Sequence, residues 1–270
     1  MSFKLFLNLS RNLFFSSIGL SVLSLINSNP AKAAPCPAQG STAAAGAQTS
    51  SCTTTPKVMD IKFYELGFCT GDPLNGADFD NSTCEKAWES TNGESADLAN
   101  FSYLGLTSGL PYKVPSKQYD YAYVIFDPTW GLKGEVYFNN TTYYTNSLGN
   151  VTQTLADYAK FEMKLNNIDS NFPNGTCSIY SGATAYGAVK ARLANNNLVS
   201  ATDVASCNAA TRMVGSVDLN TPIVMTDDVK AYQLTWIIRD MGIEATDGGA
   251  SNAPVEWKGG PFVPNFTLLK

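Results

Sequence analysis

Hydrophobic and polar residues alternate along much of this chain. In VMDIKFYEL (58–66), Met59, Ile61, Phe63 and Glu65 fall on one side and Asp60, Lys62 and Tyr64 on the other, the period-two signature of a half-buried strand. YDYAYVIFD (119–127) sets Tyr119, Tyr121, Tyr123 and Ile125 on one face. AKFEMKL (159–165) sets Ala159, Phe161, Met163 and Leu165 against Lys160, Glu162 and Lys164. AYQLTWII (231–238) aligns Tyr232, Leu234, Trp236 and Ile238. Shorter candidates are KGEVYF (133–138), TTYYT (141–145), TCSIYSG (176–182), TRMVGSVDL (211–219) and PIVMT (222–226). Turn signals separate them: Asp72-Pro73, Asn75-Gly76, Asp127-Pro128 and Asn139-Asn140. One stretch, ATAYGAVKARLA (183–194), reads as helical. Short strands recurring between turns predict an all-β fold, an antiparallel β-sandwich-like domain with one short helix and disulfide-closed loops. The tail PFVPNFTLLK makes Phe262, Phe266 and Leu268 the expected subunit contacts and the tail the candidate strand donor. Such a tail either closes the sheet as a last strand or reaches to a neighbouring subunit.

The ends of the chain read differently. Lys4 and Arg11 precede an apolar run (13–26) too short to span a bilayer, and Ala31-Lys32-Ala33 is a small-x-small site. Residues 1–33 therefore predict a signal peptide cut after Ala33. Pro35 before Cys36 argues against lipid attachment there. No later segment reads as transmembrane, so the expected location is secreted or cell-surface. Residues 34–56 are rich in Ala, Ser, Thr, Gly and Pro, lack large apolar side chains, and read as a flexible N-terminal arm. The β-rich domain is expected over 57–270, with a division into two sub-domains conceivable near 146–175.

The chain of 270 residues has a net charge of −5 and no histidine. Removing the expected signal takes away Lys4, Arg11 and Lys32 and no acidic residue, which carries the −5 to −8. Nucleic acid and anionic membranes want a basic face and are poor partners for such a chain. Without an imidazole, Ser-His-Asp, Cys-His and H-E-x-x-H chemistry are all excluded. A hydrolase built on two carboxylates survives that exclusion.

The six cysteines (Cys36, Cys52, Cys69, Cys84, Cys177 and Cys207), even in number and in an exported context, predict disulfides. About fifteen connectivities are open to six cysteines. Proximity suggests Cys36–Cys52, Cys69–Cys84 and Cys177–Cys207.

The loop between Cys69 and Cys84 holds Asp72, Asp78 and Asp80, with Glu85 just beyond it. Hard cations take several carboxylate and carbonyl oxygens, so Ca²⁺ is the ligand these four would suit. The spacing does not match an EF-hand, and an acidic solvated turn is the simpler reading. No other cofactor is expected. Asp227-Asp228 reads as a turn. Of Trp88, Trp130, Trp236 and Trp257, Trp130 in Asp-Pro-Thr-Trp-Gly is the expected exposed, ligand-binding tryptophan, and Trp236 is expected in the core.

FYELGFCTGDP followed by STC, then YLGLTSGLPY, then YAYVIFDPTWGLKGEVYF, resembles a loosely defined group of exported β-rich proteins from aquatic bacteria, over roughly residues 57–145. The resemblance implies a surface or filament subunit and transfers no catalytic residue. The expectation is therefore a non-enzymatic extracellular structural protein that self-assembles, one subunit adding a strand to the next. The alternative is a cell-surface module binding glycans or another ligand, stabilised by Ca²⁺.

Overall fold

The structure is a computed structural model that describes residues 5–6, 33–100, 103–104, 109–166, 180–249, 252–260 and 262–270. Leu5–Phe6 forms a short antiparallel ladder with Tyr103–Leu104. Residues 7–32 of the expected signal peptide lie outside the described residues. Among those described, no helix is long and apolar enough to cross a membrane.

The fold is mainly antiparallel β. Its principal strands are β1 (Cys52–Thr54), β2 (Val58–Cys69), β3 (Cys84–Asp97), β4 (Gln118–Phe126), β5 (Thr129–Lys133), β6 (Glu135–Phe138), β7 (Thr141–Thr145) and β8 (Phe161–Lys164). They continue with β9 (Tyr180–Thr184), β10 (Gly187–Ala194), helix α1 (Val204–Ala209), β11 (Arg212–Val224), β12 (Ala231–Ile237), β13 (Ile243–Asp247), β14 (Pro254–Gly259) and β15 (Val263–Leu269).

The large sheet is organised around β2. One edge of β2 pairs with β3 along its length. The other pairs first with β5, through Val58–Asp60, and then with β4, through Phe63–Cys69. β4 and β5 run end to end, separated at Asp127-Pro128, so the sheet forks there. One limb continues through β11, β10 and β9 and the other ends at β8. Asp127-Pro128 matches the expected turn signal but makes no reversal: the backbone bulges and resumes the same direction.

A second layer covers one face. β12 pairs with β15 in antiparallel register from Ala231↔Leu269 to Ile237↔Val263. β14, β13, β1 and Ala34–Pro35 make a four-stranded sheet beside it. Aromatic side chains join the layers. The Trp236 ring lies 5.7 Å from Phe63, 5.9 Å from Phe126 and 4.4 Å from Phe262, and Phe68 lies 5.9 Å from Phe266. One contiguous core runs from Cys52 to Phe266 across the position where a division near 146–175 was conceivable. Both limbs of the large sheet thus contribute to the same main core, and a smaller second cluster around Leu74, Tyr123 and Ile125 lies on the opposite face.

Several expected elements are found close to their expected bounds, and the differences have physical causes. In β2, Met59, Ile61 and Phe63 face the core as the alternation requires, but Glu65 does not. The register shifts between Phe63 and Glu65, a β-bulge that gives the next inward positions to Leu66 and Phe68. β4 is buried on both faces: Ala122, Val124 and Phe126 point into the main core, and Tyr123 and Ile125 into a second cluster on the other side. The expected separate strands 211–219 and 222–226 form one long β11 with a register shift between Asp218 and Ile223. Asn139 and Asn140 take positive φ (49° and 57°) between the paired Phe138 and Thr141, the two-residue turn that suits strand twist.

Residues 183–194 are not helical. They turn at Ala185-Tyr186, and Gly187–Ala194 pairs across its whole length with β11. Alternation of Val189, Ala191 and Leu193, satisfied by a long neighbour, outweighs the local helix propensity of Ala, Lys and Arg. The helix lies instead at Val204–Ala209, where Asp203 and Ser206 form a reciprocal cap.

The arm at 34–56 is docked. Ala34–Pro35 pairs in parallel with Cys52–Thr53, Ala44 is buried, and the buried Gln48 donates from Nε2 to Ala245 O at 3.1 Å. Backbone pairing, a side-chain amide and the Cys36–Cys52 disulfide order a segment that has little apolar surface of its own.

Candidate functional site

The outer face of the large sheet, away from the second layer, carries most of the polar side chains singled out above. The loop after β2 covers one part of it. Cys69 and Cys84 are direct cross-strand partners of β2 and β3 and are disulfide-bonded, as expected. Between them the chain folds back over β4, β11 and β10. Leu74 is fully buried among Tyr123, Ile125 and Val214, with Phe79 stacked 5.1 Å from Tyr123. A side chain at Gly67 would collide with the Tyr123 ring and with Glu85 O, so only glycine lets that ring lie across β2. Burial in this cluster, and the Glu65 carboxylate beside it, push the Tyr123 hydroxyl far up; that hydroxyl donates to Glu65 Oε1 at 2.7 Å.

The four acidic residues considered as a calcium set go to separate partners. Asp72 pairs with Lys190 and accepts from Leu74 N. Asp78 accepts from Ser200 N at 2.8 Å, Asp80 caps Ser82 N at 2.9 Å, and Glu85 pairs with Lys117 at 3.1 Å. Among the described residues no three acidic, cysteine or histidine side chains come together as a metal-ligand group. The carboxylates bind the loop down onto β10 and its neighbours. Arg192 adds to this by donating to Ala77 O.

The other part of the outer face is open. A cleft of about 620 Å³ lies at the fork of the sheet, lined by Asp60, Lys62, Asp97, Asp127, Lys160 and Glu162 among others. Strand register builds it. Glu162 of β8 is opposite Gly131 of β5, Gly131 is opposite Asp60 of β2, and Asp60 is opposite Asp97 of β3. One row across four strands therefore holds three carboxylates and a glycine. A side chain at Gly131 would press on Lys160 (3.0 Å from Cδ) and on Asp60 (3.1 Å from Cβ); its absence lets Lys160 reach over the strand to Asp60. Like charges on facing strands repel, and local partners offset this. Asp97 accepts from Met59 N and Ala99 N, both at 3.0 Å. Asp127 accepts from Thr129 N at 2.8 Å and from the Tyr64 hydroxyl at 3.1 Å. The hydrogen bond that Lys160 donates to Asp60 holds its ammonium above the usual lysine range. Four carboxylates against two lysines leave the cleft acidic, suited chemically to cationic or polyhydroxylated groups.

Between the two parts lies an ion network. Lys86 bridges Glu65 (3.0 Å) and Glu89 (2.9 Å), and Tyr112 donates to Glu89 at 3.0 Å. Partial burial pulls the Lys86 ammonium down, but hydrogen bonds to Glu89 and Glu65 outweigh it and leave it raised. The hydrogen bond from Lys86 holds Glu89 below the usual carboxylate range.

Other expected site residues fall elsewhere. Trp130 is not an exposed loop residue. It is the second residue of β5, only 1% exposed, packed 6.0 Å from Phe126 and 5.2 Å from Phe262, with its Nε1 donating to Asp127 O. The bulge at Asp127-Pro128 turns the indole inward, so Trp130 offers no ligand platform. Trp88, Trp236 and Trp257 are buried as well, Trp236 in the core as expected. The tail is a strand of its own molecule: Phe266 is buried, Leu268 packs on the core, and Phe262 stacks on Trp130 and Trp236. Asp227-Asp228 is a turn, with Asp227 tied to Lys113 and Ser116. Cys36–Cys52 is disulfide-bonded as expected. Cys207 is disulfide-bonded, and its expected partner Cys177 lies outside the described residues.

The row Glu162–Gly131–Asp60–Asp97 went unrecognised in the sequence. The polar sides of VMDIKFYEL and AKFEMKL held half of it, but alternation does not tell which strands become neighbours. No family model matches the chain, and no curated protein or solved structure matches it.

Proposed function

We propose that this chain is a non-enzymatic extracellular structural protein, a subunit that assembles with copies of itself at a cell surface. The observation that carries this reading is where the polar and aromatic side chains are spent. The described tryptophans fill the core, and the carboxylates of the outer face tie strands and loop together through Lys86, Lys160, Lys190 and backbone N–H groups. Long paired strands and local disulfides suit a protein whose task is to hold its shape outside the cell. The resemblance of residues 57–145 to exported surface and filament subunits supports the same reading. Strand addition remains the proposed mode of assembly, although the tail and arm are both paired within their own molecule and are poor donors.

Negative-stain electron microscopy of residues 34–270 with intact disulfides tests the proposal. Regular fibres, sheets or closed oligomers are expected. Monomers at every concentration, with and without Ca²⁺, would overturn it.

The acidic cleft at the fork favours a second reading, a module binding a cationic or polyhydroxylated surface ligand. Saturable binding of a surface glycan, weakened by Asp60→Asn, would move the conclusion there.

A further inference from the structure

We infer that cutting the chain after Ala33 creates a ligand for the fold itself: the new α-ammonium of Ala34 is held on the four-stranded sheet by the buried Thr53 hydroxyl and the main-chain carbonyl of Asp240. The site takes a primary ammonium from its own chain. Its capture does not depend on self-assembly.

Thr53 is the second residue of β1 and is only 1% exposed. Register sets what surrounds it. Pro35 lies opposite it on one side and Glu244 of β13 on the other, and Glu244 lies opposite Lys258 of β14. Directly opposed residues share a face of a sheet, so Thr53 and Glu244 stand side by side. Thr53 Oγ1 lies 2.8 Å from Asp240 O and 3.4 Å from Ala33 O. A hydroxyl has one proton to donate. Asp240 O is the nearer acceptor and takes it, so Thr53 Oγ1 meets the Ala33 carbonyl as one acceptor facing another.

The cut reverses that mismatch. Hydrolysis of the Ala33–Ala34 amide takes up one water, leaves a carboxylate on the departing Ala33, and passes the acid proton to the Ala34 amine. This nitrogen was bonded to the same carbonyl carbon as the Ala33 oxygen, so it starts beside Thr53 Oγ1. It now brings N–H donors and a positive charge to a place where oxygens wait. The terminus is also held in position. Ala34 and Pro35 pair with Cys52 and Thr53, Cys36 N donates to Thr53 O at 2.7 Å, and Cys36 is disulfide-bonded to Cys52. A ligand tethered this closely has little freedom left to lose on binding. The charged groups around it are Arg239 and Asp240 before β13, Glu244 on β13 and Lys258 on β14. Burial pushes the Glu244 carboxyl up despite Lys258, and a cation at Ala34 favours its ionised form.

The test compares two forms of residues 34–270 with disulfides intact. One carries a free amine at Ala34, released from a cleavable fusion, and the other is acetylated at that nitrogen alone. In the free form, with Ala34 isotope-labelled, the amine should titrate above its ordinary value of about 7.7–8.0. The folded value is then the higher one, so the stabilisation is full below about pH 7.7 and is lost as pH rises through the raised value. Near neutral pH the free form should melt about 2–4 °C above the acetylated one, with the gap closing in strong alkali. In Thr53→Val the same gap should shrink by at least half. Comparing two forms of one variant cancels any general loss of stability, and if that variant fails to fold, the wild-type titration decides alone. The exported natural chain should begin at Ala34 by intact mass. Equal melting of the two forms at every pH, an amine that titrates at or below its ordinary value, or a natural chain that begins elsewhere would overturn the capture and leave the structural-subunit reading untouched.

Discussion

The two faces of the large sheet are both buried over β4, by different means. The inner face is covered by chain that returns from far along the sequence. Trp236, Phe262 and Phe266 of the last third meet Phe63, Phe68, Phe126 and Trp130 of the first half. The outer face is covered by a neighbour: the loop after β2 folds straight back, and a disulfide across 15 residues closes it. The inner cover is a strand layer held by apolar area. The outer cover is a loop that owes much of its hold to one covalent link, one buried leucine and a few ion pairs. Where the loop stops, the sheet keeps an open row of charges.

This contrast can be broken from either side. The largest effect is expected at the inner junction. Trp236→Ala removes a ring that touches Phe63, Phe126 and Phe262 and should cost about 3–5 kcal/mol, read as a fall in denaturant midpoint for the whole domain. Next comes the outer cover. Replacing both Cys69 and Cys84 by alanine should cost about 2–4 kcal/mol and make residues 70–83 the first site of proteolysis. If the midpoint fell as far as in Trp236→Ala, the loop would be part of the main core, not a cover on it. Leu74→Ala, with the disulfide intact, should cost about 2 kcal/mol, the low end for a buried leucine, because a surface loop can settle into the space. Lys160→Ala should cost no more than about 1 kcal/mol and become neutral in high salt, since the Lys160–Asp60 pair is substantially exposed.

The smallest effect is in pH dependence, and its sign differs between layers. Glu89 on the outer face is held below its ordinary value by the hydrogen bond from Lys86, so its contribution is present above the unfolded carboxylate range of about 4.3 and fades as pH falls below it. Glu244 on β13 is raised by burial, so its charged form opposes folding and stability is regained as pH drops through the raised value. Melting curves between about pH 6 and 3 should show Glu89→Gln with a shallower acid loss than wild type and Glu244→Gln with a steeper one. Matching slopes would remove the distinction.

Much of the β content was legible along the chain. Met59, Ile61 and Phe63 alternate because one face of β2 meets the core, and Asn139-Asn140 tolerate the positive φ that a two-residue turn demands. The sequence failed where a strand has two buried faces or a break in phase. Glu65 continued a perfect alternation on paper, and a bulge put it outside. Trp130 followed a turn signal, and the backbone there bulged without reversing, so the indole went inward. Residues 183–194 carried helix formers, and a strand was made because β11 was there to pair with. The candidate cleft was legible only as polar halves of separate strands.

By itself, the sequence determined the class of the fold, the positions of most strands and the exclusion of histidine chemistry, and it suggested by proximity the Cys36–Cys52 and Cys69–Cys84 pairings that the structure shows. Each depends on residues a few positions apart or on composition. Tertiary structure alone decided which strands are neighbours, where the sheet forks, which tryptophans are buried, and that Glu162, Gly131, Asp60 and Asp97 form one row. Those facts are set by hydrogen-bond register between segments as far apart in the chain as Thr54 and Ile243. Register is chosen by the apolar area that the whole sheet can bury, which no single strand encodes.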